Sequence, residues 1–310
     1  VETAPILNPD CQGFLDHLAN IRHYSPHTIS SYRMDLMSLS TLLATQQPSQ
    51  ITALQIRKLT SQLHSQQLSA RSIARHLSCW RGFFAWYSNR YGCDHNPVMG
   101  IKAPKREKSL PKALSVDEAV HLVEHNLGSS ANQAADHAMF ELLYSSGLRV
   151  SELVSLDVGY CREPQYTSVS WIDLNEKMVH VTGKGNKTRE VPIGGAAITA
   201  IEHWLAQRST LVKTDKNALF LTSRGTRISP RLVQLRLKAH AQQIGIKSNV
   251  HPHVLRHSFA SHVLQSSGDL RAVQELLGHA SLASTQVYTA LDFQHLSQIY
   301  DAAHPRAKAK

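Results

Sequence analysis

Along the first hundred residues the apolar positions recur at helical spacing. In SPHTISSYRMDLMSLSTLL, Ile29, Tyr32, Leu36, Leu39 and Leu43 fall on one stripe, Ser25 stands where an N-cap belongs, and Pro26 takes the first helical position. SARSIARHLSCWRGFFAWYSNRYG repeats the pattern: Ile73, Leu77, Trp80, Phe84 and Tyr87 form a stripe, and Gly92 ends it. Helices are predicted for both stretches. In NPVMGIKAPKREKSLPKAL the period is lost among prolines, a glycine and dense lysine and arginine, which predicts an extended linker. The helical pattern restarts at Ser115, which forms a capping box with Glu118.

Beyond this point the pattern is mixed. QAADHAMFELLYSSG is helical and stops at Gly147. SWIDL, MVHVT and REVPIG alternate like short strands, with GKGNKT as the turn between the last two. Helical segments follow, among them Gly195 to Leu211 and Pro230 to Ile244. The reading is multidomain: an all-α part over about 10–102, a linker at 103–111, and an α+β part over 112–310.

Charge adds a partner. The chain has 310 residues and a formal net charge of +10, which favours a polyanion, nucleic acid before membrane. No apolar run is long enough to span a bilayer, and VETAPILNPD has neither the basic start nor the apolar core of a signal peptide. Cys11, Cys79, Cys93 and Cys161 form no CxxC pair, so reduced thiols and a cytoplasmic location are expected. Arg71, Arg75 and Arg81 lie largely off the apolar stripe of their helix. They are candidates for phosphate contact as well as for an ordinary solvated face.

The stretch HPHVLRHSFASHVL concentrates the candidate chemistry. His253 and His257 are four apart, but Val254 stands where a zinc protease needs Glu, Arg256 lies between them, and no cysteine or carboxylate completes a set. No metal is expected. Leu255, Phe259 and Val263 define a core stripe, Arg256 lies about 60° from it and His253 about 60° further round. An arginine at the edge of a core needs an anion, and on this helix alone a structural carboxylate and a ligand phosphate both remain open. His257 is expected to be a packed, hydrogen-bonded histidine without a catalytic role, and His251 has no assignment.

Three further segments join it: SGLRVSEL with Arg149, GKGNKTR with Lys184 between glycines, and LLGHASLASTQVYTALD with His279 and Tyr288. Two arginines can fork the oxygens of a phosphate, a lysine can protonate a leaving oxygen, histidines can donate or shuttle protons, and a tyrosine can attack phosphorus. The order Arg149, Lys184, His253-x-x-Arg256, His279, Tyr288 resembles the tyrosine recombinase (phage integrase) family, across essentially the whole chain. The tail and linker look closest to its Xer branch, the bacterial chromosome-dimer recombinases.

The resemblance implies a SAM-like core-binding domain and a catalytic domain that together form a C-shaped clamp on double-stranded DNA. It implies strand cleavage and rejoining through a 3′-phosphotyrosine on Tyr288, without metal, ATP or other cofactor. By the same resemblance Arg149 and Arg256 stabilise the transition state, Lys184 is the general acid, His253 assists proton transfer, His279 supports the phosphate and Glu152 orients the set. The implied target is a dif-like site. The implied partners are a XerD-like recombinase in a heterotetramer and the DNA translocase FtsK as regulator. A phage or integron integrase and a type IB topoisomerase are the alternatives. An integron enzyme usually carries an insertion for which this chain has no room, and a topoisomerase would relax DNA without pairing two sites. In the tail, Leu291, Leu296, Ile299 and Tyr300 keep rough helical spacing; a short terminal helix needs a surface for that stripe, either on its own domain or, as the resemblance implies, on a neighbouring protomer.

Overall fold

The computed structural model describes residues 7–93, 96–105, 113–125, 128, 130–183, 188–278 and 290–307, and the side chains of 290–295 are outside this description. The chain forms two compact units, Val1–Ser109 and Leu110–Lys310.

The first unit is all helical: α1 (Pro9–Asn20), α2 (Pro26–Met37), α3 (Ser40–Leu43), α4 (Ala53–Ser65) and α5 (Ala70–Tyr91). Ser25 caps α2, its hydroxyl accepting from the Thr28 backbone N–H, and Gly92 closes α5 in the left-handed region at φ 66°. The single helical pattern of the sequence is divided between α2 and α3. The Ser38 and Ser40 hydroxyls donate to the Asp35 and Met37 carbonyls, taking acceptors a continuing helix would use. Leu36, Leu39 and Leu43 still reach the core, around Trp80, Phe83 and Phe84 of α5. The start of the predicted linker is packed as well. Val98 and Ile101 are buried against this core, because their apolar surface gains more from burial than from lying along a solvated strand.

The second unit opens with α6 (Val116–Glu124), α7 (Ala131–Ser145) and α8 (Val150–Ser155). The capping box is present in both directions, Ser115 N–H to Glu118 and Glu118 N–H to the Ser115 hydroxyl. Then come β1 (Leu156–Asp157), β2 (Arg162–Glu163), β3 (Tyr166–Thr167), β4 (Ser170–Asp173), β5 (Met178–Thr182) and β6 (Thr188–Pro192). The main sheet has the order β1-β4-β5-β6, with β1 parallel to β4 and the other pairs antiparallel; Val179 faces Val191 across β5 and β6. β2 and β3 form a separate two-stranded ribbon. The strands of two residues escape the sequence pattern because they are too short to show alternation.

The helices α9 (Gly195–Arg208), α10 (Pro230–Gln243), α11 (Pro252–Ser267), α12 (Leu270–Leu277) and α13 (Ala290–Ala303) complete the unit. Leu255, Phe259 and Val263 of α11 are fully buried, as the stripe predicts. A polar network ties the sheet to the segment before α10: Arg227 bonds Asp157, Asp215 and the carbonyls of Val154 and Leu156.

The tail packs on its own unit, the other of the two surfaces the stripe could take. Leu296, Tyr300 and Ala303 are buried on their own unit, where α13 packs against α11. Beyond it Arg306 pairs with Glu141 and Glu124, and the Gly195 N–H donates to the Ala307 carbonyl. Folding back in cis buries Leu296 and Tyr300 of the apolar stripe and satisfies these polar groups together, while the Leu291 side chain lies outside the described residues. Among the described residues no helix is long and apolar enough to cross a membrane.

Candidate active site

The site begins at the turn between α7 and α8. Gly147 takes φ +55°, and a Cβ there would lie 2.4 Å from the Phe259 ring, so only glycine fits. Leu148 is fully buried, which fixes the next residue, Arg149, at the start of α8. One turn on, Glu152 reaches back and accepts from the Arg149 N–H at 2.7 Å and from its guanidinium at 2.8 Å.

Glu152 is the centre of the arrangement and is only 3% exposed. Arg189, on β6, forks it with both terminal nitrogens, at 2.8 and 2.9 Å. Arg256 approaches it to 3.9 Å. Burial pushes the Glu152 carboxyl up, but the hydrogen bonds and charge of Arg189, then the bonds from Arg149, outweigh burial and hold it down at about 2.

Arg256 sits at the edge of the α11 core stripe and is 8% exposed. It donates to the carbonyls of Gly147 and Leu277, the last residues of two neighbouring turns. Its charge is therefore met by two carbonyl dipoles and the more distant Glu152. Burial, and then the charge of Arg149, bring its pKa down to about 10, so it stays a cation at neutral pH. His253, one turn earlier on α11, is exposed; His251 is half-buried beside it, ring centroids 6.1 Å apart, and burial lowers the His251 pKa.

Arg189 was not singled out in the sequence. It follows the strand alternation of Val191, which puts a charged residue on the inner face of β6. A charge on the buried face of a strand requires a partner, and that was the available signal. Arg189 also donates to the Leu276 carbonyl at 3.1 Å, at the end of α12.

His257 differs from its expectation. It is exposed, while His262 is the packed histidine, bonded to the Tyr144 hydroxyl at 2.9 Å and the Leu114 carbonyl at 3.0 Å. Helix geometry explains the exchange: His262 lies about 20° from Leu255 around the axis, and His257 about 160°.

Lys184, His279 and Tyr288 lie outside the described residues. What is described flanks them: β5 ends at Thr182, β6 begins at Thr188, and Gly278 caps α12 in the left-handed region at φ 64°. A Cβ on Gly278 would meet the Arg189 side chain at 2.9 Å.

Of the three candidate arginines on α5, Arg71 is exposed and Arg81 donates to the Ile101 carbonyl. Arg75 forks the fully buried Asp35, both bonds 2.9 Å, so its charge serves the fold of the first unit. Among the described residues no group of His, Cys, Asp and Glu side chains is arranged to hold a metal ion.

Comparison with known proteins covers both units. The profile of the phage integrase family matches residues 112–295, and that of the phage integrase N-terminal SAM-like domain matches residues 11–90. A tyrosine recombinase XerC of Ralstonia pickettii is 53% identical, over 98% of this chain and 95% of the relative. One of Alcanivorax borkumensis is 50% identical over 96% and 94%. Among solved structures, XerH site-specific recombinase bound to palindromic difH substrate, in a post-cleavage complex, matches with a TM-score of 0.64 at 19% identity, covering 94% of this chain and 84% of that one. A lambda integrase dimer bound to a COC′ core site matches with a TM-score of 0.65 at 17% identity, covering 89% and 99%. At these identities the two structures establish a shared fold.

Proposed function

The chain belongs to the phage integrase family and is a site-specific tyrosine recombinase, and from that premise we propose that it resolves chromosome dimers by cutting and rejoining DNA at a dif-like site. The name and near-full-length identity of its XerC relatives support this reading over a phage integrase or a type IB topoisomerase. We take residues 10–102 as the core-binding domain, 103–111 as the linker and 112–310 as the catalytic domain.

In the proposed reaction the Tyr288 oxygen attacks the scissile phosphorus and His253 receives the phenol proton. A 3′-phosphotyrosine forms, and the 5′-oxygen leaves with a proton from Lys184. Arg149 and Arg256 hold the non-bridging oxygens, His279 supports one of them, and Glu152 orients both arginines. The covalent link conserves the energy of the phosphodiester, so rejoining needs neither ATP nor another cofactor. The observation that carries the reading is the convergence of Arg149 and Arg256 on Glu152, from separate helices and on one side of the core. Within the proposal, a XerD-like recombinase completes a heterotetramer in the cytoplasm, and the DNA translocase FtsK regulates it.

The test is a nicked suicide substrate carrying the candidate site, followed by a denaturing gel. The native chain should form a covalent adduct, and Tyr288→Phe should bind equally and form none, because only the attacking oxygen is lost. An adduct from the variant at the native level would remove Tyr288 from the mechanism.

A further inference from the structure

Arg189 stands where three parts of the catalytic unit meet. Its outer nitrogens fork Glu152, its Nε–H donates to the Leu276 carbonyl, and its stem fills the space a side chain at Gly278 would need. It therefore joins β6, which follows Lys184 in the chain, to α8, at whose start Arg149 stands, and to the end of α12, which precedes His279.

The charges matter as much as the joints. Arg149, Arg189 and Arg256 surround Glu152, and among the described residues no other carboxylate pairs with any of the three. Three cations against one anion leave two positive charges. A phosphodiester attacked by a deprotonated phenol carries two negative charges in its five-coordinate transition state. Removing Arg189 would leave two arginines around Glu152, and the carboxylate would cancel one of their two charges. Without it, Glu152 would turn fully to Arg149 and Arg256, which would spend their charge on a carboxylate in place of the phosphate.

We propose that Arg189 is a positioning residue for strand cleavage: by bonding both oxygens of Glu152 it limits the Arg149 guanidinium to one bond there and keeps Arg256 3.9 Å away, so that the charge of both is directed to the scissile phosphate. The proposal rests on the recombinase reading of the site. It separates from a purely structural role because the damage done by losing Arg189 comes from the carboxylate left behind. Removing that carboxylate should then repair activity, whereas two structural losses would add.

The experiment compares Arg189→Met, Glu152→Gln and the double variant. It measures single-turnover adduct formation on the nicked substrate, DNA binding by gel shift and folding by circular dichroism. Arg189→Met should cut adduct formation by about 10²-fold, on the scale of losing one preorganised charged donor, with binding little changed. The double variant should recover at least about tenfold of that loss. On a substrate with a methylphosphonate at the scissile position, which carries one negative charge less, the Arg189→Met defect should shrink. If Arg189→Met does not fold, Arg189→Gln with and without Glu152→Gln makes the same comparison, since glutamine removes the charge but keeps a hydrogen-bond donor for the buried site. A double variant no faster than the single, or an equal defect on both substrates, would overturn the proposal. A native chain that forms no adduct would count against the recombinase reading instead.

Discussion

Arg306 donates to the carboxylate of Glu141, which lies 165 residues earlier in the chain and is fully buried in α7. This pair holds the end of the chain on the catalytic unit, next to His304, whose imidazole burial pushes down to about 3 and so keeps neutral.

Arg306→Met should therefore destabilise the protein by about 3 kcal/mol at neutral pH, since it leaves a buried carboxylate with no cation. Burial already raises the Glu141 pKa, and Arg306 opposes that rise. With Arg306 gone the folded-state value climbs further above the unfolded one. The protonated form then favours folding, so the deficit is largest at neutral pH and narrows as the solution is acidified. Urea unfolding across pH measures this. A deficit independent of pH would mean that the arginine acts through packing alone.

Glu152 gives the opposite sign. Its folded pKa of about 2 lies below its ordinary 4.5, so its contribution is complete above pH 4.5 and is lost as pH falls towards 2. The contribution is on the order of 3 kcal/mol. Glu152→Gln should be less stable than the native chain at neutral pH and lose less on acidification. Parallel stability curves for the two would contradict the pairing.

Gly147→Ala should cost at least about 2 kcal/mol, from a left-handed backbone forced on alanine and a clash with the Phe259 ring. The same turn supplies the carbonyl that receives Arg256. Adduct formation should fall further than thermal stability alone accounts for. A variant that cleaves normally would show that the turn can shift without moving Arg256.

Arg71 and Arg75 should separate cleanly. Arg75→Ala strips the cation from buried Asp35 and should destabilise the first unit by about 2–3 kcal/mol. Arg71→Ala should leave stability alone and, if this arginine meets a phosphate, reduce the slope of log affinity against log salt by about 0.9. Salt titrations of DNA binding, set beside thermal melts, distinguish the two. The same result for both residues would undo the distinction.

Helix caps and stripes were readable because they are local. Ser25, Gly92 and the Ser115–Glu118 box each act within one turn, and all three are present. The candidate site residues stood out as an ordered set, of which the structure brings Arg149, Glu152 and Arg256 together, while Lys184, His279 and Tyr288 lie outside the described residues. The partners of those residues were not readable, because pairing across strands and helices leaves no local period. Arg75 looked like a surface arginine until Asp35 met it from 40 residues away. Arg189 showed as a charge in phase with Val191 on β6, but its partner Glu152 lies 37 residues earlier and leaves no local sign. The tail showed its apolar stripe but not the surface that takes it, since a stripe carries no address.

The order in which the site can come into being follows from those separations. Arg149 and Glu152 are neighbours in the chain, but Arg189 joins Glu152 from 37 residues away, Arg256 reaches Gly147 across 109, and Arg189 meets Leu276 across 87. Contacts this distant form only after long loops have closed. A chain still emerging during synthesis, or one cut short after α11, would contain most of the basic residues yet lack both the Leu276–Leu277 turn and the tyrosine beyond it. It could hold DNA through its charge without being able to break it. With Tyr288 as the proposed nucleophile, cutting would in this way be reserved for the finished molecule, and an incomplete copy would be harmless to the chromosome it touches.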